Sequence, residues 1–263
     1  MPISRTQWTA AGIGFIVAVL AGWWYSSQKV PVVTPTTPTI ASSTSVTSTT
    51  TPSIPSNVTA AQPFPINARD TIISWNFKGA YTGNETLIAQ ANADIVHLKN
   101  LMGKGEYDDY DLYNGIANDK NLMGDGTSAY QNYNRAIAIH PKKGLVYANL
   151  GHLMDELGAY YTAADAYEKA TTVEPGVLEY YIERLNYLTR QFATDTARIT
   201  VALTDVSKQF GDTAQILSIE ARWLTEMKRY TDAIKAWETV KTLSPGKDMT
   251  AIDAEIARLK AKQ

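Results

Sequence analysis

The stretch that most constrains the fold is residues 144–177, which holds two apolar faces at helical spacing with a glycine between them. The first face recurs at i, i+3, i+4 and i+7 and consists of Tyr147, Leu150, Gly151 and Met154. Gly158 ends that helix, and the second face consists of Ala163, Ala166, Tyr167 and Ala170. Pro175 cannot continue a helix, so the unit ends there. Because small side chains let two helices approach closely, the stretch predicts a helical hairpin.

The same spacing recurs at intervals of about 34 residues, with prolines at Pro141, Pro175 and near Pro245. The preceding unit repeats the pattern with Tyr113, Ile116, Ala117, Ala129, Tyr133 and Ala136. The last unit repeats it with Leu217, Ala221, Leu224, Ala233 and Trp237, and Glu220 departs from it. The third unit is degenerate, because Arg184 is polar and about two extra residues lie near 210–213. One hairpin cannot bury its apolar face alone, so the repetition predicts a stack of hairpins.

This pattern resembles the tetratricopeptide repeat (TPR), whose first helix carries an aromatic residue, Leu-Gly and Tyr and whose second carries Ala, Phe and Pro. Met154 and Lys120 depart from it, since both stand where Tyr is usual. The resemblance covers residues 110–247, about four repeats with a degenerate third. It implies an all-α fold, a TPR-type solenoid of helical hairpins.

Residues 8–25 form an uncharged run that nearly spans the hydrocarbon core of a bilayer at about 1.5 Å per residue. Aromatic residues at its two ends resemble the belts found at membrane interfaces, namely Trp8, Trp23, Trp24 and Tyr25. We predict that residues 1–29 are a transmembrane anchor of a single-pass protein whose bulk is extracytoplasmic, since Arg5 and the amino terminus slightly outweigh Lys29. A signal peptide cleaved after Ala21 is the alternative interpretation. A buried core helix is disfavoured by the segment that follows.

Residues 30–66 are dominated by Ser, Thr and Pro, with scattered aliphatic residues and a single Phe64. Such a segment buries too little apolar surface to offset the entropy lost on ordering, so it predicts a disordered linker. It would serve as a spacer that holds the folded part of the chain away from the bilayer.

Residues 67–109 are predicted to pack on the exposed edge of the first repeat, and a divergent extra repeat is the alternative. Residues 71–77 alternate in polarity like a short strand, although a helical turn fits nearly as well. A helix capped by Asn84 follows, with one apolar face made of Leu87, Ala91, Ile95, Leu98 and Met102. At the other end, residues 248–263 carry the apolar stripe Ile252, Ile256 and Leu259 and predict a helix that caps the solenoid.

Composition removes several function classes. The net charge of −2 provides no basic field for nucleic acid, and the absence of Cys excludes disulfides and thiol catalysis. His97, His140 and His152 do not have the spacing of a metal site, and the acidic run at residues 108–111 is typical of a solvated loop. No phosphate-binding loop or nucleophile elbow is present. We therefore expect no catalytic residue, no cofactor and no metal, and a protein that is not an enzyme.

The resemblance also implies a binding surface, because TPR solenoids bind along the concave face formed by their first helices. The predicted partner-binding residues are Asn114, Asn118, Asn121, Asn149, His152, Asp155, Glu179, Glu183, Asn186 and Arg222, with Ser218 and Glu226 beside them. Amide side chains can hydrogen-bond an extended peptide backbone. Chaperone-binding TPR proteins grip a terminal carboxylate with cations, and here Asn114, Glu179 and Glu183 stand at those places. A protein or peptide that is neutral or basic is therefore implied. An ordinary solvated helix face is the alternative for any single residue.

Together these features predict a membrane-tethered scaffold for protein–protein interaction, which binds a peptide or protein partner in the concave groove of the solenoid. The membrane contact would be made by residues 8–25, and no nucleic acid would be bound. Two alternatives remain open. One is a module that oligomerises through its repeats, and the other is an accessory subunit of an envelope enzyme complex that processes glycans.

Overall fold

The computed structural model describes residues 62–263, so the predicted anchor and residues 30–61 of the predicted linker lie outside the described residues. The described part contains ten α-helices and no regular strand. In chain order they are α1 (Glu85–Leu101), α2 (Asp109–Leu122), α3 (Gly126–Ile139), α4 (Gly144–Glu156), α5 (Tyr160–Val173), α6 (Leu178–Gln191), α7 (Thr196–Phe210), α8 (Ala214–Glu226), α9 (Tyr230–Thr242) and α10 (Thr250–Lys260). The predicted all-α class is confirmed for this part of the chain.

Helices α2 to α9 form four consecutive hairpins, each made of a first helix and a second helix. The first helices start at Asp109, Gly144, Leu178 and Ala214, which are 34 to 36 residues apart. The longest interval separates the first helices of the third and fourth hairpins, where the sequence predicts extra residues near 210–213. This spacing and pairing confirm a TPR-like fold of stacked helical hairpins.

The second hairpin shows why these residues form this unit. Tyr147, Leu150, Met154 and Tyr167 are almost completely buried between α4 and α5. A Cβ on Gly151 would lie 2.9 Å from the ring of Tyr167, so only glycine allows this close crossing. Removing four such side chains from water, at roughly 2 kcal/mol each, stabilises the hairpin far more than helix propensity does.

The degenerate third hairpin buries a charge where the first two hairpins bury the aliphatic side chains of Ile116 and Leu150. Arg184 is 5% exposed, and its guanidinium lies 3.0 Å from Asp205 on α7 and 3.6 Å from Glu168 on α5. The side chains of Asp205 and Glu168 are partly exposed to water. Their ion pairs offset the cost of burying the guanidinium, but the third hairpin loses the apolar contact that an aliphatic side chain would make. Correspondingly, α7 lies against α8 more loosely than α3 lies against α4.

The two ends of the hairpin array are covered by single helices. Asn84 caps α1 by accepting a hydrogen bond from the backbone of Leu87, as the sequence predicts. Ile95 and Leu98 of α1 pack on Leu112 and Ile116 of α2. At the other end α10 packs on α9 and buries Ile256 and Leu259. Residues 71–77 are neither a regular strand nor a helical turn, and they contain one isolated antiparallel bridge between Asn76 and Asp125.

Candidate partner-binding surfaces

The hairpins have an inner face formed by the first helices α2, α4, α6 and α8. These helices approach their neighbours in the next hairpin more closely than the second helices approach one another. Since closer spacing on one side bends a stack toward that side, the first helices line the concave face. All the predicted partner-binding residues lie on these four helices.

Three of the predicted lining residues are buried rather than exposed on the inner face. Asn114, Asn121 and Asn149 are each less than 8% exposed. The amide of Asn149 donates to the Asn114 side-chain oxygen at 3.1 Å, which joins α4 to α2. Asn118 accepts a hydrogen bond of 2.7 Å from the hydroxyl of Tyr133. The side chains of Asn114, Asn118 and Asn149 thus bond groups of the protein itself, while the side-chain oxygen of Asn121 is buried without a hydrogen-bond partner. A role of these residues in binding a partner stays a prediction.

The exposed part of the predicted lining lies on α6 and α8. There a cleft of about 210 Å³ is bordered by Asn186, Thr189, Arg190, Ile219, Arg222, Trp223 and Glu226. Asn186 and Arg222, which the sequence predicts as partner-binding, meet across it, while Glu179 is exposed one turn of helix before Glu183. The structure therefore gathers part of the predicted set into one open surface, which we call the inner cleft.

Ion pairs connect α4 to this cleft. Asp155 accepts hydrogen bonds from Arg190 and from Gln191, the latter at 2.9 Å, and the side chain of Arg190 is 62% exposed. Glu183 is largely buried and lies 3.8 Å from His152. Arg190 was missed by sequence reasoning, although it follows Asn186 at i+4 and so lies on the same helical face.

A second candidate surface lies on the second helices, where residues 62–84 run across the array. We call these residues the N-terminal segment. Its first five residues belong to the predicted linker, yet Phe64 makes an edge contact with the ring of Tyr147 at 5.8 Å. The backbone amide of Phe64 donates to Asn134 on α3, and its carbonyl accepts from Tyr130 at 2.6 Å.

Further along, the N-terminal segment bonds the start of α5. The backbone amide of Asn67 donates to the hydroxyl of Thr162 at 2.9 Å. The carboxylate of Asp70 accepts from the backbone amides of Tyr161 and Thr162 and from the Thr162 hydroxyl, at 2.6–3.1 Å. Ala159, the residue that precedes α5, offers no side-chain cap. Asp70 therefore caps this helix from about ninety residues away in sequence.

The segment then crosses the turn between α2 and α3. The carbonyl of Trp75 accepts from the amide of Gly126 at 2.9 Å, and the amide of Phe77 donates to the carbonyl of Gly124. A Cβ on Gly124 would lie 2.1 Å from the carbonyl oxygen of Phe77. Two backbones meet here without room for a side chain, so the segment, which has turns at residues 67–70 and 79–84, is held closely by the first two hairpins.

Asp119 on α2 contributes a pH dependence to the fold. Burial and the nearby carboxylate of Asp94 raise the pKa of Asp119 to about 7, and its Oδ2 atom has no hydrogen-bond partner. An unfolded Asp titrates near pH ~4. Between these values the folded state holds a proton that the unfolded state releases, so stability falls as pH rises from about 4 to about 7.

We expect Asp119→Asn to raise the free energy of unfolding at pH 8 by about 1–2 kcal/mol, because the amide replaces a carboxylate that is costly to ionise there. The expected gain is smaller than the free energy that corresponds to the whole pKa difference between the folded and unfolded states, because Asp119 is partly exposed and water screens its charge. Urea unfolding at pH 4, 6 and 8 measures it. The free energy of unfolding of the variant should fall much less between pH 4 and pH 8 than that of the parent protein. If the free energy of unfolding of the parent rose over this range, the assignment to Asp119 would be wrong.

Two further features of the described residues bear on function. Among residues 62–263, no group of three or more His, Asp or Glu side chains is placed to hold a metal ion. Within the same range, no helix has the length and apolarity needed to cross a membrane.

No protein-family model and no curated protein matches the chain. Among solved structures it is similar to TTC0263, a thermophilic TPR protein from Thermus thermophilus. That match has 15% sequence identity and a TM-score of 0.45, and it covers 67% of this chain and 94% of that chain. It is also similar to yeast Tom70, with 15% identity, a TM-score of 0.37, and coverage of 65% of this chain and 43% of that chain. The similarity is one of fold. This chain spans less than half the length of Tom70.

Proposed function

We propose that this protein is a membrane-tethered scaffold that binds a peptide or protein partner on the inner face of its hairpin array. The observation that supports this most is the inner cleft, where exposed donors and acceptors on α6 and α8 surround the buried apolar residues Ile219 and Trp223. An apolar floor with a rim of adaptable polar groups is the usual anatomy of a protein interface.

The charge of the inner face selects the kind of partner. Asp155 is already paired with Arg190, while Glu179 and Glu226 are exposed on α6 and α8. Arg222 is the exposed cation of the inner cleft that has no acidic partner within 4 Å in the described structure. The surplus of carboxylates favours a neutral or basic partner, whose approach it would steer.

Site-specific photo-crosslinking tests this proposal. A photoreactive amino acid at position 222 should capture a partner in native membranes, and one at position 169, exposed on the second helix α5, should not. Charge reversal by Glu179→Lys together with Glu226→Lys should reduce the adduct at position 222 about tenfold or more, because it repels a basic partner. Equal capture at both positions, or capture that ignores the charge reversal, would contradict the inner face as the binding surface.

Membrane tethering rests on the uncharged run of residues 8–25 in the sequence. We expect the full chain to stay in the membrane fraction after alkaline carbonate extraction, and a chain lacking residues 8–25 to be recovered in the supernatant. A full chain released by carbonate would contradict the anchor. Amino-terminal sequencing of the membrane-bound protein separates an anchor from a cleaved signal peptide, because only the anchor retains residues 1–21.

A further inference from the structure

The outer face carries a second groove, two hairpins beyond the N-terminal segment. It lies between α7, α8 and α9 and encloses about 1000 Å³. We call it the open groove, and we call the corresponding space between α3, α4 and α5, where residues 62–70 lie, the occupied groove. Both are bounded by a second helix, the first helix of the next hairpin, and the second helix of that hairpin.

The two grooves correspond residue by residue when positions are counted from the start of each helix. In the occupied groove, residues 62–70 are contacted by Tyr130, Asn134, Tyr147, Thr162 and Asp165. The residues at the same helical positions two hairpins later are Thr200, Thr204, Leu217, Asp232 and Lys235, and all five line the open groove. The two grooves thus have matching walls, and within residues 62–263 a peptide segment lies in the occupied groove but not in the open groove.

The chemistry of the open groove is set by Glu220. It stands where the second hairpin buries Leu150, so a carboxylate replaces an aliphatic side chain in the wall of the groove. Burial and the neighbouring Asp212 raise the pKa of Glu220, which shows that cations near it do not offset its desolvation. Three cations line the groove, namely Lys208, Arg229 and Lys235, but only Arg229 lowers the pKa of Glu220, and its guanidinium is already hydrogen-bonded to Asp232 at 2.8 Å.

We propose that the open groove binds an extended segment of a partner protein that places a large apolar side chain against Leu217 and a Lys or Arg side chain against Glu220. The apolar contact corresponds to that of Phe64 with Tyr147 in the occupied groove. The cation neutralises a carboxylate that the groove otherwise keeps partly out of water, and such a pair is both favourable and selective. This surface shares only the buried Trp223 with the inner cleft and includes neither Asn186 nor Arg222, so the inference stands independently of the function proposed above.

Two segments of this chain are weaker occupants. Residues 30–61 contain no Lys or Arg, so they bring no cation to Glu220. The N-terminal segment does contain Arg69, but its hydrogen bonds to α3 and α5 hold it in the occupied groove. A second copy would have to release these bonds before its own Arg69 could enter the open groove.

Fluorescence anisotropy with a labelled nine-residue peptide tests the proposal. The probe has the sequence of residues 62–70 with Arg in place of Ile66 and Gln in place of Arg69, Gln-Pro-Phe-Pro-Arg-Asn-Ala-Gln-Asp, because residue 66 follows Phe64 on the same side of an extended chain, whereas Arg69 of the docked segment lies over Tyr161. Two further probes carry Gln or Glu in place of that Arg. With the full-length protein in detergent, we expect saturable binding that weakens about tenfold from Arg to Gln and further with Glu. Glu220→Gln should abolish this preference, and Thr204→Trp, which fills the groove from an exposed position on α7, should abolish binding.

The matched control is Glu238→Gln, the same chemical change at an exposed position of α9 that lines neither the open groove nor the inner cleft, which should leave the affinity unchanged. Circular dichroism melts of all variants ensure that lost binding is not lost folding. Three results would overturn the proposal: the absence of saturable binding, binding that is indifferent to both Glu220→Gln and Thr204→Trp, or self-association in sedimentation velocity that Glu220→Gln removes. The last result would assign the groove to a second copy of this chain.

Discussion

Gly124→Ala should lower the free energy of unfolding by about 3 kcal/mol or more, as measured by urea denaturation. Gly124 has a φ of +82°, a left-handed conformation that costs a side-chain-bearing residue roughly 1–2 kcal/mol. In addition, the new Cβ would lie 2.1 Å from the carbonyl oxygen of Phe77 and 3.0 Å from the amide of Gly79. Backbone atoms cannot rotate away as a side chain can, so the N-terminal segment must leave the α2–α3 turn.

The second hairpin provides the matched control. Gly158 occupies the same place in the α4–α5 turn, also with positive φ, but a Cβ there would meet nothing within 4 Å. Gly158→Ala should therefore cost only the conformational part, about 1 kcal/mol. The difference between the two variants measures what the docked segment contributes. Equal losses would mean that the contact of residues 77–79 with this turn adds no stability.

Asp70→Ala should destabilise the protein by about 2–3 kcal/mol. The substitution removes three hydrogen bonds to a carboxylate and leaves two backbone amides at the start of α5 without the partner that caps them. It also removes a negative charge from a helix N-terminus, where the helix dipole favours it. Hydrogen exchange should show the loss locally, as faster exchange of the amides of Tyr161 and Thr162.

Asp165→Ala is the control for this prediction, because Asp165 bonds the same segment but is exposed to water. Its carboxylate accepts one hydrogen bond of 2.7 Å from Asn67, and we expect its loss to cost less than about 1 kcal/mol. Asp70→Asn, which keeps an acceptor but not the charge, should fall between the two. If Asp70→Ala were no worse than Asp165→Ala, the assignment of Asp70 as a helix cap would be wrong.

The hairpins were predictable because their signals are local. Gly151 and Tyr167 lie 16 residues apart in one hairpin, and their contact follows from helical periodicity alone. The cap at Asn84 and the extra residues in the third unit are local in the same sense. The candidate surface was predictable only in part. The TPR pattern identifies which helical faces point inward, but it does not state how closely neighbouring hairpins pack.

Closeness of packing divides the predicted lining residues into two groups. Asn114 and Asn149 are 35 residues apart at the same position of successive hairpins, and tight stacking buries both and joins their amides. Between α6 and α8 the hairpins leave the inner cleft open, so Asn186 and Arg222 remain exposed. Identical residue types at related positions therefore end in a buried bond or on an open surface, and the sequence pattern does not distinguish them.

By itself the sequence determined the helices, their pairing and their period, because each depends on side chains within about one repeat of each other. The tertiary structure alone decided where residues 62–84 lie and which grooves they leave open. The contacts described above join residues 47 to 98 positions apart, and the segment makes them largely through its backbone groups, which every residue carries. Composition identifies residues 62–66 as proline-rich, but only the folded hairpins supply the hydrogen-bond partners that order them.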